Sequence, residues 1–234
     1  MSAVTIDPFI QELRGMVAKR NANLNHPFAR RIINCEASLD DLRVWVGQRY
    51  RGITSLGGIS MVPLLAKGPD EASRKHIWEA IGEECGFSGP SSHSGWLFEF
   101  GKALGMSRAD MEATTPLPET RAVRYFYLYK YSLGSFLETL AAQVSVESQN
   151  PIAFPSWVKA FEGHYRIPRA NLSWFIGHIE ADSEEGGHAG EGWALFSRLA
   201  DTEALRDQVR NAVSEALDFY WLSLDGVQRV TQRQ

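Results

Sequence analysis

Prolines and glycines in this chain separate segments of helical period, and none of the segments they separate alternates like a strand. In a chain of 234 residues, no other feature restricts the fold as much. Asp7-Pro8 reads as an N-cap followed by proline at the first helical position. It opens a helix to about residue 20, with Phe9, Leu13, Met16 and Val17 on one face. Asn25-His26-Pro27-Phe28 restarts the chain into a short helix. Ser38-Leu39-Asp40-Asp41 resembles a capping box with Asp in place of the usual Glu. After it, Leu42, Trp45, Val46 and Ile53 fit a helix better than alternation. Gly68-Pro69-Asp70 breaks the chain, and helices are expected over 72–85 and 96–104. Ser107 to Asp110 forms a second capping box. The longest uninterrupted segment runs over 119–148, and Asn150-Pro151 ends it. Pro155 and Pro168 are expected to start further helices, and Thr202 to cap a last one running towards Val230. No Asn-Gly or Asp-Gly pair flanked by alternating runs, no repeat and no low-complexity linker interrupts this pattern. The expectation is one all-α domain over residues 1–234, a bundle of about seven or eight helices.

Composition excludes several function classes. Apolar residues make up 44% and charged residues 22%, which suits a globular chain with a sizeable core. A net charge of −4 with no basic cluster argues against nucleic-acid binding. The first twenty residues have no apolar run of the signal-peptide kind, and apolar stretches such as 59–66 are far too short to span a bilayer. No membrane association is expected. Cys35 and Cys85 make neither a disulfide framework nor zinc spacing, so a reducing cytoplasm is the default location.

The chemistry concentrates in 174–188. His178 and Asp182 lie four residues apart, so on a helix their side chains leave within about 40° of each other. An imidazole beside a carboxylate is a mixed N/O metal-binding pair. Other segments place ionisable residues on faces that look buried. Glu84 lies on the apolar stripe of Ile77 and Ile81, while Glu83 lies nearer Glu79 on the wetter side. His93 follows a loop, and Glu147 shares a face with Leu140 and Val144. A carboxylate on a core face is costly unless it is paired, protonated or bound to a metal. Each of these taken singly has a bland reading as a solvated charge or a hydrogen-bonded histidine. Three carboxylates and three histidines on separate helices are what a two-iron carboxylate site requires. His26 suits a structural cap, and His76 and His164 read as surface residues. Tyr50, Tyr125, Tyr127, Tyr129 and Tyr131 read as packing residues, one of which could line a channel, and Lys130 as a snorkelling surface lysine.

These segments together resemble the haem-oxygenase-like diiron oxidases, a group related to pyrroloquinoline-quinone synthase and thiaminase II. The resemblance runs through Asn25-His-Pro-Phe28, 42–50, Glu79 to Gly86, His93 to Phe100, Glu147 and Trp174-Phe175 before His178-x-x-x-Asp182. It implies a haem-oxygenase-like bundle, two iron ions per chain, dioxygen, and a small organic substrate that is amino-acid-like or fatty-acid-like. N-oxygenation, desaturation or C–C cleavage would be the outcome, and a homodimer the assembly. Glu84, His93 and Glu147 would hold one iron, and Glu147, His178, Asp182 and His188 the other. One position departs from the pattern. Where the family has histidine three residues after the aspartate, this chain has Glu185, and the next histidine is His188. On an ideal helix His188 would point about 80° away from His178, so either Glu185 takes the place or Gly186-Gly187 lets the helix re-form with His188 inward. A cofactorless quinone-forming oxidase would need cationic and hydrogen-bonding residues in place of the acidic ones. A thiaminase-like hydrolase would need an activated cysteine, and neither Cys35 nor Cys85 has an activating context. A non-enzymatic helical interaction protein is the remaining alternative.

Overall fold

Every capping signal read from the sequence starts a helix in the computed structural model, which describes residues 7–87, 91–182 and 187–232. Asp7 caps α1 (Pro8–Lys19), with its carboxylate accepting from Phe9 N. Short helices α2 (Ala22–Asn25) and α3 (Pro27–Ile33) follow, and His26 Nδ1 accepts from Phe28 N as the N-cap of α3. The Ser38–Asp41 box opens α4 (Leu39–Gly52). After two 3-10 turns come α5 (Val62–Lys67), α6 (Glu71–Cys85) capped by Asp70, and α7 (His93–Ala103) capped by Ser92. The Ser107–Asp110 box opens α8 (Arg108–Ala113), and α9 (Pro118–Leu133) starts on a proline.

The segment expected to be one helix over 119–148 is two. Gly134 adopts an extended backbone, and a third capping box, Ser135 with Glu138, starts α10 (Phe136–Glu147). Helix resumes at once in α11 (Asn150–Gly163), so Pro155 lies inside a helix rather than at its start. It sits on the exposed side, where water can serve the carbonyl that a proline leaves unpaired. A 3-10 turn at Arg169–Asn171, just after Pro168, leads to α12 (Ser173–Ala181). Then come α13 (His188–Leu199) and the Thr202-capped α14 (Glu203–Thr231). The described residues thus form fourteen α-helical segments rather than seven or eight. The extra ones, such as α2, α5 and α8, span only 4–6 residues. Pieces that short are held by tertiary packing and leave no periodic signal.

An aromatic core sets the position of α12. Trp45 of α4 has its ring within 6.2 Å of Phe100, Trp157, Trp174 and Phe175. Trp157 Nε1 donates to the Asn23 carbonyl at 2.7 Å, so the one polar atom of that ring is satisfied. Each buried ring contributes roughly 2–3 kcal/mol. Trp174 and Phe175 are both buried, and they fix the rotation of α12 and hence the direction in which His178 points. No helix among the described residues is long and apolar enough to cross a membrane.

Candidate metal centre

Glu84 and His93 meet because a glycine turns the chain between them. Gly86 ends α6 in the left-handed region at φ 76°, a conformation a side chain would strain, and a Cβ there would lie 2.5 Å from Ser92 N. α7 therefore starts back alongside the end of α6, with His93 as its first residue. His93 Nδ1–H donates to Glu84 Oε1 at 2.9 Å. From the opposite wall, α12 brings His178, whose ring centroid is 4.5 Å from that of His93. One donor atom from each of Glu84, His93 and His178 lies within 4.8 Å of the other two. Donors about 2.1 Å from a shared ion lie within about 4.2 Å of each other, so little movement separates this cluster from a coordinating one. Two imidazoles and one carboxylate form the donor set that suits non-haem Fe(II) with positions left open. His178 Nδ1–H donates to the Trp174 carbonyl at 2.5 Å, which leaves Nε2 with a free lone pair.

Charge in the cluster is arranged for a cation. Burial alone would push the Glu84 carboxyl up. His93 above all, with His178 and Arg49 behind it, outweighs that effect and holds it at about 2. Burial pulls His93 down, but Glu84 more than compensates, so its pKa is raised. Burial, and then the charge on His93, drives His178 down to about 3, which keeps its imidazole neutral near pH 7. Glu84 is 28% accessible, and it lines the internal cavity described below.

The other three residues singled out from the sequence lie nearby, each with a partner of its own. Asp182 caps α12, is 3% exposed, and accepts from Asn150 Nδ2 at 2.7 Å. Glu147 accepts from Gln143 Nε2 at 2.9 Å. His188 begins α13 and donates from Nε2 to Glu83 Oε2 at 2.8 Å. Burial and then the charge on Glu147 push Asp182 well up, and burial also raises Glu147. Burial lowers His188, but Glu147 and Glu83 outweigh it, and its pKa is raised. His178 and Asp182 thus belong to one helix end but to different partners. Helix α12 stops at Ala181, and α13 begins at His188 after an extended Gly187. Glu185 lies outside the described residues.

Several residues differ from their sequence expectation. His76 is 5% exposed and donates from Nδ1 to Glu191 at 3.0 Å, with its ring 5.8 Å from that of His188. It shares a face of α6 with Glu83, seven residues on, and that spacing was the available signal. Glu83 is only part-exposed and serves His188. Lys130 is 5% exposed rather than snorkelling, with Nζ 2.7 Å from Glu215. Tyr125 and Tyr129 are exposed and so do not pack in the core, whereas Tyr127 and Tyr131 are buried and line the cavity. That cavity measures about 70 Å³ and adjoins Glu84, His93 and His178. Arg49, Gln143 and Asn150 supply much of its remaining polar lining, and none of the three stood out in the sequence.

A Cβ on Gly177 would lie 2.5 Å from the Trp96 ring, and Trp96 stacks on His93 with centroids 4.9 Å apart. Gly177→Ala must therefore push Trp96 against a candidate ligand. The expected result is a loss of about 1–3 kcal/mol in stability, read by denaturant unfolding, together with weaker Fe(II) binding. Unchanged values for both would show that the ring moves freely.

Among solved structures, a TenA homologue from Pseudomonas syringae pv. tomato str. DC3000 superposes with a TM-score of 0.79 at 14% identity, covering 98% of this chain and 96% of that one. A domain of unknown function with a haem-oxygenase-like fold from Shewanella denitrificans OS217 also reaches 0.79, at 18% identity, covering 99% and 95%. These likenesses establish the haem-oxygenase-like fold. In sequence, the chain is 23% identical over 208 residues to pyrroloquinoline-quinone synthase of Klebsiella pneumoniae (strain 342), covering 88% of this chain and 80% of that protein. The sequence profile described as "Iron-containing redox enzyme" matches residues 58–221, a stretch that carries Glu84, His93, Glu147, His178, Asp182 and His188, and the chain belongs to that family.

Proposed function

We propose that this protein is a non-haem iron oxidase or oxygenase that uses dioxygen to oxidise a small organic substrate. The observation that carries this reading is the joining of Glu84, His93 and His178, two imidazoles and a carboxylate, beside an internal cavity. We further propose two irons per chain. Glu84, His93 and His178 would hold one, and Glu147, Asp182 and His188 the other, with Glu147 or Glu84 available to bridge. The raised pKa values of Asp182 and Glu147 are consistent with this: burial first, and the neighbouring carboxylates after it, make the ionised forms costly where no cation offsets them.

Bound iron would supply the electrons and the open coordination positions that dioxygen needs. The chain's own residues do the rest. The Trp174 carbonyl fixes the His178 tautomer, and the rings of Trp174 and Phe154 pack against the imidazole, 4.6 and 6.4 Å between centroids. Tyr127 is held by its hydroxyl on the Ala142 carbonyl at 3.2 Å, and burial raises its pKa, so it stays a neutral donor. The Glu84–His93 ion pair holds a proton that metal binding must release.

Anaerobic titration with Fe(II), followed by iron-edge anomalous scattering, tests the reading. Two equivalents are expected, the second weaker, because among the described residues only Glu84, His93 and His178 already bring their donor atoms within 4.8 Å of one another. A single equivalent at Glu84, His93 and His178 would favour a one-iron centre, the second reading, since only that trio is pre-assembled among the described residues. No iron uptake above a control protein would overturn both readings and leave a cofactorless oxidase like the quinone-forming relative.

A further inference from the structure

Two side chains that line the cavity each carry a buried polar atom with no hydrogen-bond partner, and the two atoms are of opposite kind. Arg49 Nε is a donor without an acceptor, and Gln143 Oε1 is an acceptor without a donor. Both side chains line the cavity beside Glu84, His93 and His178. The Arg49 guanidinium lies over the rings of Trp174 and Tyr220, 5.2 and 5.4 Å from their centroids, so stacking holds its plane in place. Among the described residues it makes no ion pair. The Gln143 amide is oriented by its Nε2 bond to Glu147 at 2.9 Å. Turning the amide over would set its oxygen against a carboxylate, so Oε1 must face away from Glu147. An orphaned buried donor on a cation and an orphaned buried acceptor in one pocket are costly in a resting protein, and a ligand with the complementary groups removes that cost.

We propose that this cavity binds a small carboxylic acid that also bears an N–H or O–H donor, with the carboxylate on Arg49 and the donor on Gln143 Oε1. The class is amino or hydroxy acids rather than plain fatty acids, because an unsubstituted chain has nothing to give Gln143. Ile53, Leu56, Met61 and Val146 line the same space and suit an apolar side chain. That this ligand is the substrate rests on the iron-oxidase reading, whereas its binding does not.

The test uses the full-length metal-free protein and calorimetry with three probes sharing one alkyl chain: L-norleucine, hexanoate and pentylamine. L-Norleucine is expected to bind best, hexanoate more weakly and pentylamine not measurably. Arg49→Met should weaken L-norleucine and hexanoate about tenfold or more. Arg49→Lys, which keeps the charge, should restore part of that loss and guards against misfolding of the first variant. Gln143→Leu should abolish the advantage of L-norleucine over hexanoate and leave hexanoate itself unchanged. Absence of saturable binding of either acid up to about 10 mM, binding of pentylamine equal to theirs, or full affinity in Arg49→Met would each overturn the proposal. Carboxylate binding without iron uptake would overturn the iron reading alone, and iron uptake without carboxylate binding would overturn this one alone.

Discussion

His178→Ala is expected to abolish tight iron binding, weakening the first equivalent by well over about 100-fold. That exceeds the loss usual when only a group supporting a metal ligand is removed. The reason is geometric. Glu84 and His93 are already paired with each other at 2.9 Å, so His178 is the group of the trio with a free lone pair aimed at the cluster. Without it, an incoming ion meets an ion pair that must be broken with no neutral ligand in compensation. The ring also packs against Trp174, 4.6 Å between centroids, so alanine leaves a void as well. His178→Phe keeps most of the volume and removes only the ligand. Equal iron loss in both variants, with stability largely retained in the phenylalanine variant, assigns the effect to coordination. Iron affinity close to wild type in His178→Phe would remove His178 from the centre and with it the main support for the proposed function. Equilibrium dialysis under anaerobic conditions reads the affinity, and circular dichroism the fold.

Asp182→Asn should stabilise the metal-free protein while weakening its iron binding. Asp182 is 3% exposed and feels Glu147, Glu84 and Glu83, with Asn150 as its hydrogen-bond donor. Its folded carboxyl titrates well above the ordinary carboxylate range. At pH values above that range the unfolded chain has released a proton that the folded state retains. The associated stability is present at low pH and is lost as pH rises through the folded pKa. Asparagine keeps an oxygen for Asn150 and carries no charge, so the loss disappears. A gain of about 1–2 kcal/mol near neutral pH is expected, or roughly 3–6 °C in Tm for a chain of this size. The variant's stability should also fall less steeply with pH than that of the wild type. Adding Fe(II) should reverse the order, with the wild type gaining more. Thermal unfolding at several pH values, with and without Fe(II), measures this. Lower stability of the variant together with an unchanged pH slope would mean that Asp182 is a structural hydrogen-bonding group and not a metal ligand in waiting. Such a gain in stability at the expense of binding is what a site kept for function predicts.

The sequence by itself determined the helical class and most helix starts, because both are written in short-range chemistry. Asp7, Ser38, Asp70, Ser92, Ser107, Ser135 and Thr202 each accept from a backbone N–H two or three residues on, a preference that local sequence encodes. A segment without a side-chain cap, such as α5, left no such mark, and pieces as short as α2 show no period, which is why the bundle has more pieces than its periodicity suggests. The sequence also marked Glu84, His93 and His178 as ionisable groups on faces that looked buried, but not which of them meet. Spacing paired His178 with Asp182. The fold instead joined His178 to Glu84 and His93, because Gly86 reverses the chain and the aromatic core sets the rotation of α12. Partner choice for buried charges depends on distances across helices, and no spacing along the chain fixes those distances. The same holds for His76 on Glu191, for His188 on Glu83, and for Arg49 with Gln143 across one cavity. Tertiary structure alone decided these pairings, since each joins groups from different helices whose approach is set by how the core packs.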